Sequence, residues 1–200
     1  MAKRDALRGS SETGDPLLLT PGPLTTSKRV KAVMVHDWGS RDATFLAINR
    51  EVLERLPEVV NAQRSHVTVP MQGSGTFAVE AMLTTFVPRS GKVLLLINGA
   101  YGQRARKICD IAGRKVGVHE TAEDTPPDLA EIDRILTADK TITHVFAVHC
   151  ETTSGILNPV AEIGALVEKH GRRLLIDAMS AFGALPLDAT KTPFDALAAS

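Results

Sequence analysis

Cysteine is scarce in this chain, and its scarcity excludes a disulfide-built fold. Of 200 residues only Cys109 and Cys150 are cysteines, and both sit in apolar periodic segments, as reduced thiols of a cytoplasmic protein do. Long hydrophobic runs are missing too. No apolar run precedes Leu17, where Lys3, Arg4, Asp5 and Arg8 crowd the start, and nowhere do about 18 apolar residues follow one another, so neither export nor membrane spanning is expected. Charge of one sign is absent: 23 Lys and Arg balance 23 Asp and Glu. A neutral chain has no long-range field to gather nucleic acid or an anionic membrane, so any anion must be recognised locally.

Several catalytic signatures are also absent. No lysine follows the glycine-rich stretch at 73–75, which excludes a Walker loop, and three spaced glycines of a dinucleotide fingerprint do not occur. Gln72-Gly73-Ser74-Gly75 lacks the nucleophile elbow of a serine hydrolase. His144 and His149 are five residues apart on an expected strand, an odd spacing that sends them to opposite faces, and no metal site is assigned. Internal repeats and low-complexity tracts are lacking.

What remains is an ordinary globular composition, 44% hydrophobic and 23% charged, with enough apolar residues for a sizeable core. Residues 1–16 are small and charged and read as a loose tail. Residues 17–66 read as a loop and helix arm. Thr20-Pro21-Gly22-Pro23 fixes an extended or turning segment, and Phe45, Ile48, Val52, Leu53, Leu56 and Val60 recur at helical spacing over 42–61, with Pro57 bending or ending the helix.

Over 67–200 strand and helix signals alternate. Strands are expected at 67–71, 92–98, 115–120, 144–150 and 173–179, and helices at 77–86, 101–112, 128–138 and 159–170. The run Val93-Leu94-Leu95-Leu96-Ile97 between Gly91 and Gly99 suits a central strand covered on both faces. This succession predicts an α/β fold, a mostly parallel sheet sandwiched by helices.

In such sheets ligands sit outside the carboxyl ends of the strands, and four junctions there carry chemistry. At Gln72-Gly73-Ser74-Gly75-Thr76 a glycine turn opens a helix, which can cradle a dianionic phosphate or simply cap the helix. At Asn98-Gly99-Ala100-Tyr101-Gly102 an aromatic ring follows the most apolar strand, ready to stack on a flat heteroaromatic or to pack in the core. At His149-Cys150-Glu151-Thr152-Thr153-Ser154-Gly155 hydroxyls can reach a phenolic oxygen or cap the next helix. At Leu174-Leu175-Ile176-Asp177-Ala178-Met179-Ser180 an aspartate ends an apolar strand. A buried carboxylate needs a partner, either an N–H donor or a cation such as a pyridinium nitrogen.

These junctions, in this order, resemble the fold-type I pyridoxal-phosphate (PLP) enzymes, and within them the aminotransferase branch that holds 2-aminoethylphosphonate–pyruvate and alanine–glyoxylate transaminases. Pro21-Gly22-Pro23 and Ala78-Val79-Glu80-Ala81 add to the match, which covers about 17–200. The His149-x-Glu151-Thr152-Thr153 and Asp177-Ala178-Met179-Ser180-x-Phe182-Gly183 segments are closer to the phosphonate transaminases. The resemblance implies that Ser74, Gly75 and Thr76 hold the cofactor phosphate, that Tyr101 stacks on the ring and that Thr152 approaches its hydroxyl. It gives Asp177 the catalytic task of pairing with the ring nitrogen and places Gly22 beside the substrate.

It further implies a homodimer that converts 2-aminoethylphosphonate and pyruvate to phosphonoacetaldehyde and alanine in phosphonate catabolism. The alternatives are an alanine–glyoxylate or serine–pyruvate type aminotransferase, or a non-catalytic cofactor-binding or structural fragment. In the family the cofactor-bonding lysine follows the aspartate by some two dozen residues, in a Ser-Ala-Asn-Lys type segment. Here Ser200 is read as its first residue, and Lys191 comes too early to substitute. Residues 67–200 are therefore expected to be an incomplete PLP-binding large domain, truncated before the small C-terminal domain and inactive as it stands. Lys28, Arg29 and Arg41 read as surface charges rather than phosphonate ligands.

Overall fold

A computed structural model describes residues 11, 13–20 and 22–200. Most of the expected tail, and Pro21, lie outside the described residues. The chain forms two compact units, Met1–Glu51 and Val52–Ser200.

In the first unit the hydroxyl of Ser27 caps helix α1 (Lys28–Val33) by accepting the Val30 N–H at 3.3 Å. Lys28, Arg29 and Arg41 are exposed. Helix α2 (Ala43–Arg55) begins here and runs into the second unit. The helix expected over 42–61 stops at Arg55, and the chain tightens into a 3-10 turn, Leu56–Val60, that ends on Asn61 at φ 53°. Pro57 explains the change: it has no N–H for the helical ladder, and its ring crowds the preceding turn. The apolar stripe of α2 stays exposed at Leu46, Ile48 and Val52.

The second unit contains α3 (Gly75–Phe86), β1 (Lys92–Ile97), α4 (Ala100–Ile111), β2 (Lys115–Glu120), α5 (Leu129–Ala138), β3 (Ile142–Val148), α6 (Val160–Lys169), β4 (Arg173–Asp177) and β5 (Ala196–Ala198). The strands form a parallel sheet in the order β2-β1-β3-β4-β5. Strand alternation sorts the core into two layers. Val93, Leu95, Ile97, Phe146, Val148 and Leu175 face α3 and α4, while Leu94, Leu96, Val145, Ala147, Leu174 and Ile176 face α5 and α6. Each such Val, Leu, Ile or Phe side chain, fully withdrawn from water, contributes roughly 1.5–3 kcal/mol.

Two helices pack closely because glycines face their neighbours. A Cβ at Gly102 of α4 would lie 3.0 Å from the Ile97 Cα, and one at Gly164 of α6 would lie 2.7 Å from the Pro193 carbonyl oxygen. Strand β1 is an inner strand, although β3 takes the centre of the order. Residues 67–71 pair with no strand, and Val67 and Val69 are exposed. The short β5 completes the edge beside β4. No helix among the described residues is long and apolar enough to cross a membrane.

Candidate active site

The chain lays β2 on one side of β1 and then returns to lay β3 on the other. At such a reversal the connections leave the two strand ends in opposite directions and open a crevice between them. The ends of β1 and β3 flank this crevice, and β4 lies next to β3.

At the first junction Ser74 adopts an extended conformation, and its hydroxyl accepts the Phe77 N–H at 3.3 Å. Gly73 has φ +145°, a value that favours glycine. The first turn of α3 carries no acidic residue, so its N–H groups and the positive end of its dipole meet no competing carboxylate there. A Cβ on Gly75 would come within 2.7 Å of the Met179 sulfur and 3.2 Å of the Ser200 hydroxyl. The turn after β4 therefore presses against the start of α3. Thr76 is half-buried, and its hydroxyl accepts a hydrogen bond from Arg104 Nη1 at 3.1 Å.

The second and third junctions are locked together. A Cβ on Gly99 would lie 2.3 Å from Cγ of Glu151, so only glycine fits. Its φ of 166° is ordinary extended backbone, and the demand is one of space. Glu151 is fully buried, and its Oε1 accepts from the N–H and hydroxyl of Thr153 at 3.3 and 2.9 Å. The Thr153 hydroxyl in turn accepts the Ala100 N–H at 3.4 Å. Beneath them Asn98 donates to Oδ1 of Asn158 at 2.8 Å, and Asn158 donates back at 3.2 Å and to the Val148 carbonyl at 2.8 Å. Tyr101, in the first turn of α4, is half-buried against the core. Thr152 stands half-buried beside Glu151.

At the fourth junction Asp177 ends β4 with 4% of its surface exposed. Its backbone carbonyl accepts the His149 N–H at 2.8 Å, and its carboxylate accepts the Met179 N–H at 3.0 Å. Ser180 donates to the Cys150 carbonyl at 2.6 Å, tying this turn to the third junction. Burial raises the Asp177 pKa; the Met179 N–H pulls it down, Glu151 adds to the rise and Arg104 opposes it. Burial also lowers the His149 pKa. Ser74, Gly75, Thr76, Tyr101, Thr152 and Asp177 all belong to the second unit, where the four junctions are joined by these contacts. Gly22 belongs to the first, where the neighbouring Thr20 hydroxyl donates to the Pro23 carbonyl at 2.7 Å.

The residues fit a phosphorylated pyridine. An anion suits an acid-free helix start with a crowded glycine. A protonated ring nitrogen suits Asp177, a buried carboxylate whose hydrogen bond comes from a neutral amide rather than a basic side chain. Glu151 Oε2 and His149 Nδ1 are buried without partners, further polar capacity at the same strand ends.

Sequence comparison agrees with the geometry. The class-V aminotransferase family matches residues 26–200. The chain belongs to this family. Membership of the class-V aminotransferases, with aminotransferases as structural neighbours, implies PLP as the cofactor. Among curated relatives, the 2-aminoethylphosphonate–pyruvate transaminase of Pseudomonas fluorescens (strain Pf0-1) is 58% identical over 94% of this chain and 51% of its own length. The same-named protein of Pseudomonas aeruginosa (strain UCBPP-PA14) is 55% identical over 92% of this chain and 50% of its own. The chain thus spans about half the length of the curated relatives it matches.

Solved aminotransferase structures superpose well. Pyridoxamine–pyruvate aminotransferase from Mesorhizobium loti has a TM-score of 0.84 at 25% identity, covering 97% of this chain and 49% of its own. Alanine–glyoxylate aminotransferase from Nostoc sp. has 0.81 at 27% identity, covering 90% and 48%. The parallel sheet between helices is the fold-type I architecture.

Some contributors escaped the sequence reading. Glu151 stands out in the sequence only as part of the His149-x-Glu151-Thr152-Thr153 segment, and nothing in its neighbours announces that it is fully buried. The Asn98–Asn158 pair joins residues 60 positions apart. Arg104 carried a faint signal: it follows Tyr101 by three residues, so a helix places both on one face.

Proposed function

We propose that the protein is a PLP-dependent transaminase that takes the amino group of 2-aminoethylphosphonate and gives it to pyruvate, releasing phosphonoacetaldehyde and alanine in phosphonate catabolism. The observation that carries this reading is the 55–58% identity to transaminases of that name over more than nine-tenths of this chain. Solved relatives with other amino-group partners reach only 25–27%. Residues 67–200 are the cofactor-binding part.

When bound, PLP supplies an electron sink for the pair of electrons left as a proton departs from the amine-bearing carbon. Asp177 holds a proton at the ring nitrogen through its carboxylate, which keeps that sink strong. The N–H groups at the start of α3, with the hydroxyls of Ser74 and Thr76, bind the phosphate. Tyr101 orients the ring by stacking. Thr152 donates toward the ring hydroxyl, and Gly22 leaves room for substrate. We further propose that the protein works as a homodimer in the cytoplasm, in keeping with its two free thiols and the exposed stripe of α2.

The test incubates full-length protein with 2-aminoethylphosphonate and pyruvate and measures phosphonoacetaldehyde and alanine. The reading expects equal amounts of both. Alanine formed only when an amino acid replaces the phosphonate would transfer the protein to the alanine–glyoxylate or serine–pyruvate type.

A further inference from the structure

Arg104 has no task in the reading above, yet it connects two of the junctions. It lies on α4 one turn beyond Tyr101, and its Cζ is 4.6 Å from the centre of that ring, within cation–π range. The same guanidinium reaches the start of α3, where Nη1 donates to the Thr76 hydroxyl at 3.1 Å. A guanidinium has donors only. The Thr76 oxygen must therefore accept, and its own proton is left to point elsewhere. A hydroxyl that accepts from a cation is a stronger donor in turn.

We propose that Arg104 is a positioning residue for the phosphate of the cofactor: resting on the Tyr101 ring, its guanidinium turns Thr76 into a committed donor. This rests on the PLP reading. It also sets a local cation beside the start of α3 in a chain whose net charge of zero gives no long-range field to gather an anion.

A merely structural bridge would stabilise the fold and treat all ligands alike. A phosphate-directed residue discriminates. The experiment measures, by equilibrium dialysis of full-length cofactor-free protein, the affinity for PLP and for pyridoxal, which lacks the phosphate. In R104Q the PLP affinity falls about tenfold, the scale of one hydrogen bond to a charged group, while pyridoxal affinity changes little; R104K retains much of the preference. Thr76→Val produces the same selective loss, and the double variant is no worse than either single one. Equal weakening of both ligands, or no change, overturns the proposal. If the unaltered protein binds neither ligand, the functional reading fails and this inference with it, a pattern distinct from any failure confined to the variants.

Discussion

At the scale of single residues, Asp177 and Glu151 show what a strand end does to a carboxylate. The apolar run Leu174-Leu175-Ile176 announced that Asp177 would end a covered strand, and so its burial was legible. Glu151 sits in a hydroxyl-rich turn and gives no such sign; its burial comes from Gly99, which is distant in sequence and leaves the space its side chain fills. Asp177 has a pKa raised chiefly by burial. Below the ordinary carboxylate range both folded and unfolded forms are protonated and the group costs nothing. As pH rises through the raised folded value, ionisation of the buried group weakens the cofactor-free fold.

Asp177→Asn should therefore melt at the same temperature as the unaltered protein in acid and above it at neutral pH, when both lack cofactor. The same variant should bind PLP about a hundredfold less tightly or worse, because removing one partner of a buried charge pair costs on the order of 3–5 kcal/mol. A variant that lost melting temperature at neutral pH while binding normally would show that Asp177 is a structural cap. Gly99→Ala places a methyl group against the fully buried Glu151. Overpacking of this kind costs about 1–3 kcal/mol, read as a melting temperature several degrees lower.

At the scale of elements, the sequence pattern locates β1 to β4 and α3 to α6 with ends within a residue or two, but it also suggests a strand at 67–71 that does not form. The strands end at Ile97, Val148 and Asp177, before the expected 98, 150 and 179; at the last two the apolar Cys150, Ala178 and Met179 lie in turns and look like more strand. The three residues of β5 were too few to carry a period, and their pairing with β4 supplies what their own pattern lacks. Helix α3 depends on Ser74 at its start. Ser74→Ala should cost about 1 kcal/mol of stability, as lost helix caps do, and should weaken PLP binding beyond that, since one hydroxyl serves the helix and the proposed phosphate site. Chemical denaturation with and without PLP separates the two effects. Gly164→Ala in α6 should destabilise the fold without altering cofactor affinity, because its Cβ would meet the Pro193 backbone rather than the strand ends.

At the scale of the whole molecule, the alternation of strands and helices was enough to foresee a parallel sheet between two helical layers, since parallel strands require crossovers. The order β2-β1-β3-β4-β5 was not legible, because which neighbour a strand chooses depends on packing between distant segments. That order brings the four junctions together at one edge of the sheet. The account holds that they form one pocket for a flat phosphorylated pyridine. A crystal structure of the full-length protein grown with PLP tests this most directly. It should show the ring nitrogen within hydrogen-bond reach, about 2.7–3.0 Å, of the Asp177 carboxylate, with the phosphate on the N–H groups and hydroxyls of Ser74, Gly75 and Thr76. PLP bound elsewhere, or an Asp177 carboxylate facing no part of the ring, would contradict it.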